Sequence, residues 1–597
     1  MPGLQDVLSR FVRSLAEQEQ DNESPDVRHD LGTLMCWLLE RSGYTIIERA
    51  FKFDGLAQRR SSGFSQRGVD ILAVKPDPDG STRLYRFVLK AGKFGVTEAG
   101  QTSERGNLIH DLQLAASARD LRTEVASALG DTKVDHVTVV AVHNGDLDRR
   151  EVIAVVENLR AQFMRLHDIA LDWWDAEIII GKLLELVEQD GRMASPGDVS
   201  FLPPNVRPFV RAALSSVGSE DHFDVQSVDR YLDAILPQAD ERRPYDKGLD
   251  LRLERAGNEA LLFVHMLLAE GRAVNSSSVL PALECIERVV SRLALLIARY
   301  FTGDNREIRK TLSSLRELLA LYVEYAEKLR LRLEAVDGRE RSLALASGSE
   351  PLDYPYRVFR LLGYLCVAHA ITVDLPAFHS YQAGFIQTIL GLWDANLDAV
   401  LFPVMDDQVV EIMLVWERWL VAGHVEKVEV QALAMVEAFT LRAASRAPMP
   451  VLHQRATWPM RERDIDALVD AYLGGAAAVS AQQGTSQILP LAVYAARKRP
   501  EIEELARALK GISWQFWSLG DGDPVPSYAR DIGELGVTWI LDPVKSVVDF
   551  SGRFREIASQ EAKQPAGQRG LQSVDRIAWK LHRNVPPLSI LTSKLPA

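Results

Sequence analysis

The sequence predicts an α/β N-terminal domain, built on a mixed sheet flanked by helices, followed by a large all-α helical array. Helical and strand patterns alternate over residues 1–190. Residues 191–208 then contain four prolines and two glycines, a composition typical of a linker. Beyond it, stretches rich in Leu, Ala, Glu and Arg indicate helices. We expect helical domains at residues 209–345 and 346–597, and the second can be continuous with the first.

The first two predicted elements are helices. Apolar residues recur at helical spacing from Leu4 to Gln18 and again from about His29 to Arg41. Ser42 and Gly43 end the second helix, because glycine tolerates the left-handed backbone that often follows a helix.

Strands are indicated next by runs of β-branched and aromatic residues. These runs are Tyr44–Phe53, Val69–Val74, Leu84–Leu89, Val137–Val142 and Ile169–Trp173. The turn Pro76–Gly80 joins the second and third strands into a hairpin, since proline fixes φ and glycine supplies a positive φ. Helices are predicted at about Glu104–Leu129, Asp148–Leu166 and Ala176–Gln189.

Composition and short motifs exclude several classes of protein. The 597 residues carry a formal charge of −13, so nucleic-acid binding would need a local basic patch. Three separated cysteines and no CxxC pair argue against a zinc knuckle or a disulfide framework. No P-loop or G-x-S-x-G motif occurs. The longest apolar stretch has 13 residues, too few to span a membrane, so we expect a cytoplasmic protein that does not bind membranes.

Asp70 and Lys90 form the strongest chemical signal. Asp70 begins one strand of the predicted hairpin and Lys90 ends the other, so both should lie at one edge of the sheet. A carboxylate that holds Mg²⁺ and a lysine that orients water are groups used in phosphodiester hydrolysis. The alternative is an ordinary surface ion pair.

The order of these elements resembles the restriction-endonuclease-like, PD-(D/E)XK superfamily, and within it the Mrr-like branch. The resemblance rests on Gly43-Tyr44 after the helix, on Gly68-Val69-Asp70-Ile71, and on Val88-Leu89-Lys90 in the hairpin. An apolar strand that ends at Asn144-Gly145 also matches, and the resemblance covers about residues 28–190. It implies a nuclease-like fold in which Asp70 and the Leu89 carbonyl hold Mg²⁺ and Lys90 orients the attacking water.

One position departs from the family pattern. Val88 stands where the family has a second acidic or amide residue, and valine cannot coordinate a metal. An acid relocated to Glu40, Glu98 or Glu104 could complete the site. Otherwise the domain keeps the fold without cleavage, and it binds nucleic acid or scaffolds a multiprotein complex.

A local excess of positive charge supports a nucleic-acid partner, with DNA as the first expectation. Residues 49–93 contain ten basic and four acidic residues, a net charge of +6. Candidate phosphate contacts are Arg59, Arg60, Arg67 and Lys93. The alternative is a solvated surface loop.

The combination of a nuclease-like module with a long helical region resembles effectors of bacterial defence against phage or foreign DNA. By that analogy the helical region would bind protein partners. Mg²⁺ would be required only if the nuclease site is active. A third alternative is a helical interaction subunit whose N-terminal domain is purely structural.

Overall fold

A computed structural model describes much of the chain. The described residues are 4–15, 29–49, 69–90, 108–118, 125, 134–145, 151–192, 195–203, 205–219, 223–236, 247–274, 279–300, 308–335, 353–403, 408–445, 485–486, 488–509, 513–519, 536–541, 573–574, 576–577, 580 and 595. The chain forms two compact units. Unit 1 comprises residues 1–282 and 304–314, and unit 2 comprises residues 283–303 and 315–597.

Unit 1 contains the predicted mixed sheet. Its strands are β1 (Thr45–Arg49), β2 (Ile71–Pro76), β3 (Thr82–Lys90), β4 (Val134–His143) and β5 (Ala170–Trp174), in that spatial order. β2 runs antiparallel to both β1 and β3, whereas β4 is parallel to β3 and to β5. Gly80 has a φ of 84° in the β2–β3 turn, as the predicted hairpin requires.

Helices accompany this sheet along the chain. They are α1 (Leu4–Ser14), α2 (His29–Arg41), α3 (Leu108–Ser117), α4 (Glu151–His167), α5 (Ala176–Asp190), α6 (Arg207–Ser216), α7 (Val225–Ile235) and α8 (Lys247–Ala273). The side chains of Leu72, Val88, Ala141 and Trp173 on one sheet face form a core with the apolar residues of α3 and α4. This packing fixes α3 and α4 on the face that also bears Asp70 and Lys90.

The segment predicted as a linker packs within unit 1. The Trp37 indole N–H lies 3.1 Å from a carboxylate oxygen of Asp198, and Arg41 forms ion pairs with Asp190 and Asp198. Phe201 is buried, with its ring 4.9 Å from that of Trp37. Unit 1 therefore continues well beyond residue 190.

The remaining helices are α9 (Val279–Tyr300), α10 (Ile308–Glu334), α11 (Asp353–Asp374), α12 (Gln382–Ala395), α13 (Leu397–Val400), α14 (Val409–Val421), α15 (Val425–Ser445), α16 (Ile488–Ala495) and α17 (Ile502–Ala508), with a 3₁₀ helix at Pro376–Tyr381. Helices dominate this part of the chain, as predicted. No helix among the described residues is long and apolar enough to cross a membrane. All three cysteines are buried free thiols.

A small sheet departs from the predicted all-α array. Strands β6 (Thr485–Ser486), β7 (Ser513–Leu519) and β8 (Gly536–Leu541) pair in that order, β6 parallel and β8 antiparallel to β7. The last two strands contain tryptophan, phenylalanine and β-branched residues, which favour strands over helices. The overall leucine and alanine content concealed this local signal.

Candidate nucleic-acid interface at one edge of the sheet

The β2–β3 hairpin brings Asp70 and Lys90 to the same edge and the same face of the sheet. Ile71 pairs with Phe87, so Asp70 lies opposite Val88. The Asp70 amide donates to the Phe87 carbonyl at 2.9 Å, and its carboxylate accepts a hydrogen bond from the Leu89 amide at 2.7 Å. Lys90 is two residues beyond Val88 and therefore projects from the same face. Both side chains are partly exposed.

His143 extends this row of side chains onto β4. It pairs with Lys90 in the parallel register, next to the pair formed by Val88 and Ala141. The imidazole is fully buried, and its ring centroid is 5.5 Å from that of Trp173. His143 is not among the predicted site residues, although its place at the end of an apolar strand was a usable signal.

Asp111 on α3 is a second residue that the sequence analysis missed. The Arg86 guanidinium donates to the Ala115 carbonyl at 2.6 Å and so holds α3 against β3. One turn before Ala115, Asp111 interacts electrostatically with Lys90. Partial burial raises the pKa of Asp111, while the charges of His110 and Lys90 oppose that rise. The signal available in the sequence was an aspartate between the apolar residues Ile109 and Leu112, both of which are buried in the structure.

The described residues do not fit a complete Mg²⁺ site. Val88 is 1% exposed and belongs to the apolar core, so the position opposite Asp70 offers no oxygen ligand. Within the described ranges, no group of three or more His, Cys, Asp or Glu side chains is arranged to hold a metal ion. Asp70 also uses one carboxylate oxygen to bind the Leu89 amide, which is a structural role.

Of the three predicted substitute acids, Glu40 is the one that lies among the described residues. Glu40 is exposed near the end of α2. Just beyond it, Tyr44 packs against Tyr85 and Phe87 on the opposite face of the sheet from Asp70. Glu98 and Glu104 lie outside the described residues.

Three basic residues of the positive segment make contacts within the domain. Lys75 donates to the Ser42 carbonyl at 2.9 Å, and Arg83 pairs with Asp77 at 3.0 Å. Arg86 is buried by its bond to α3. Lys90 remains a partly exposed base at the end of β3, whereas the predicted phosphate contacts Arg59, Arg60, Arg67 and Lys93 lie outside the described residues.

This arrangement combines the partly exposed Lys90 with Asp70 at the same edge and with Asp111, with which Lys90 interacts electrostatically. A lysine in that setting can contact a phosphate oxygen, and the carboxylates restrict where the phosphate can lie. No known protein-family model matches the chain, and neither a curated protein nor a solved structure is detectably similar to it.

Proposed function

We propose that residues 28–190 form a nuclease-like module that binds nucleic acid at the edge formed by Asp70 and Lys90. The observation that carries this proposal is the hairpin register, which sets both residues on one face at the carboxyl end of β3. Ligands of sheets with parallel strands commonly bind beyond such strand ends. The strand order, antiparallel through β3 and parallel into β4, supports the resemblance on which the proposal builds.

Binding without cleavage is the activity that the described residues support best. Val88 removes the carboxylate expected opposite Asp70, and its side chain is embedded in the core. The carboxylate of Asp70 alone is a poor ligand set for Mg²⁺. In this proposal Lys90 contacts phosphate directly and Asp70 holds the end of β3 in place through the Leu89 amide.

A Mg²⁺-dependent phosphodiesterase is the second candidate. The observation that favours it is Asp111, a half-buried carboxylate on the helix packed over this face of the sheet, which interacts electrostatically with Lys90. In either case, by analogy of layout alone, the protein would act in bacterial defence, with the helical region binding protein partners.

Binding is tested with the full-length protein and labelled double-stranded DNA, single-stranded DNA and RNA over a series of salt concentrations. The variants are Lys90→Gln and a matched control, Lys182→Gln. Lys182 is also partly exposed but lies over Trp174, on the opposite face of the sheet. Loss of one phosphate contact should weaken binding and reduce the slope of log K against log salt by about 0.9.

The outcomes separate the candidates. Weaker binding by Lys90→Gln alone supports the proposed interface, whereas equal behaviour of the two variants, or no binding at low salt, refutes it. The same substrates are incubated with Mg²⁺ or Mn²⁺. Cleavage by the wild type that is lost in Asp70→Asn and in Asp111→Asn establishes the phosphodiesterase, because asparagine can still accept the Leu89 hydrogen bond.

A further inference from the structure

A polar stripe near the C-terminus of the chain is buried in unit 2. Ser573, Arg576 and Lys580 are helical and lie at positions i, i+3 and i+7, on one face. Such a face is normally turned to solvent, yet all three residues are buried. We call these three residues the C-terminal clip.

Each residue of the clip binds an acidic side chain from a different helix. The Ser573 amide donates to Asp374 of α11 at 2.6 Å. Arg576 makes a two-pronged ion pair with Glu417 of α14.

Lys580 supplies the third contact. Its ammonium donates to both carboxylate oxygens of Glu287 on α9 at 2.7 Å. The clip therefore ties three helices of unit 2 together through charged groups.

Described residues of α11 pack closely around Lys580. Its ammonium is 3.3 Å from the centre of the Tyr364 ring. A Cβ added at Gly363 of α11 would lie 2.9 Å from its Cε atom. A buried lysine beside Glu287 and Tyr364 would suit catalysis only if a ligand could reach it, so this cluster serves to hold the segment.

Two of the acidic partners, Glu417 and Glu287, also have contacts outside the clip. Glu417 remains paired with Arg418 at 2.6 Å, and the Tyr322 hydroxyl donates to Glu287 at 2.7 Å. Burial lowers the pKa of Lys580 to about 8, although the negative charge of Glu287 acts to raise it. The buried ammonium has therefore lost favourable hydration, which its ion pair with Glu287 only partly compensates. Ile577 of the same segment is fully buried as well, so opening would expose one apolar side chain while it returned the ammonium of Lys580 to water.

We propose that the C-terminal clip is a conformational device that docks in unit 2 through its charges and undocks as one body while α9, α11 and α14 stay folded. Two ion pairs and one backbone hydrogen bond to a carboxylate fix the docked register, and the clip carries its two cations back to water on opening. This inference is independent of the function proposed for the N-terminal module.

Hydrogen–deuterium exchange of the full-length wild type tests the clip first. At neutral pH the peptide covering residues 573–580 should exchange at least tenfold faster than peptides from α11 and α14. Exchange of the clip at the same rate as α11 overturns the proposal, because the clip would then open only when unit 2 unfolds. This comparison needs no variant and is unaffected by folding defects.

Variants test the role of the charges. Lys580→Met should accelerate exchange of the clip at least tenfold and that of α11 less than twofold. Lys498→Met, at an exposed lysine of unit 2, is the matched control and should change neither. Adding Glu287→Gln to Lys580→Met should recover part of the slow exchange, because the unpaired buried charge is removed. If Lys580→Met accelerates exchange equally in the clip and in α9, α11 and α14, or does not accelerate it at all, the proposal that charges dock the clip is refuted.

Discussion

His369 should make unit 2 sensitive to mild acid. It lies on α11 and is 4% exposed. Burial lowers the pKa of its imidazole to about 4 from an ordinary value of 6.5, and Arg418 adds to the lowering while Glu417 opposes it. The folded protein therefore keeps this histidine neutral at a pH where the unfolded chain protonates it.

The sign and the size of the effect follow from this difference. Above pH 6.5 both states hold a neutral histidine, and the stabilisation is fully present. As the pH falls from 6.5 towards 4, the unfolded state takes up a proton that the folded state does not, so stability is lost. At pH 5, about 1.5 units below the ordinary pKa, the loss from this residue is about 2 kcal/mol.

Urea unfolding of the full-length protein, followed by circular dichroism at pH 7.5 and pH 5, measures this loss. His369→Gln cannot titrate, so its unfolding midpoint should fall less between the two pH values than that of the wild type. His379→Gln, at an exposed histidine, is the control and should behave as the wild type. If His369→Gln loses as much stability as the wild type on acidification, the buried neutral imidazole is not the cause.

Three further predictions concern both units and are measured by the same unfolding titrations. His265 in unit 1 has a pKa lowered to about 4 by burial, so His265→Gln should also reduce the loss of stability below pH 6.5, and an unchanged loss would contradict this. Asp175 accepts a hydrogen bond from the Ile178 amide at the start of α5, so Asp175→Ala should lower the free energy of unfolding by about 1 kcal/mol. An unchanged free energy of unfolding would contradict this role. Gly363→Ala should lower the free energy of unfolding by about 1–3 kcal/mol because the new Cβ meets Lys580. The matched control is Gly181→Ala in α5, where a Cβ meets nothing within 4 Å and should raise the free energy of unfolding by up to about 1 kcal/mol. Equal effects of the two substitutions would refute the close contact at Gly363.

The local pattern of the sequence was enough to predict most of the N-terminal elements, although the helix predicted at about Glu104–Leu129 ends at Ser117 as α3. The helix predicted at about His29–Arg41 is α2 within the same bounds. The strand predicted at Val69–Val74 overlaps β2 over residues 71–74, and the strand predicted at Leu84–Leu89 is the central part of β3. Strand and helix periods depend on neighbouring residues, and the Pro76–Gly80 turn set the hairpin. The register that opposes Asp70 and Val88 followed from that short turn.

Side chains that meet across long sequence separations were not predictable in this way. Asp111 interacts with Lys90 only because α3 is packed over β3. The small sheet of β6 to β8 was concealed by a composition that favours helices. Both depend on which segments become neighbours in the folded chain.

The sequence by itself determined the alternation of elements, the hairpin and the candidate pair of Asp70 and Lys90, because these follow from short-range periodicity and turn geometry. Tertiary structure alone decided which charged residues are removed from water. Arg86, Arg576 and Lys580 look like surface residues in the sequence, yet each is buried against a partner that is distant along the chain. A buried charge is tolerated only where such a partner compensates its lost hydration, and only the fold brings the two together.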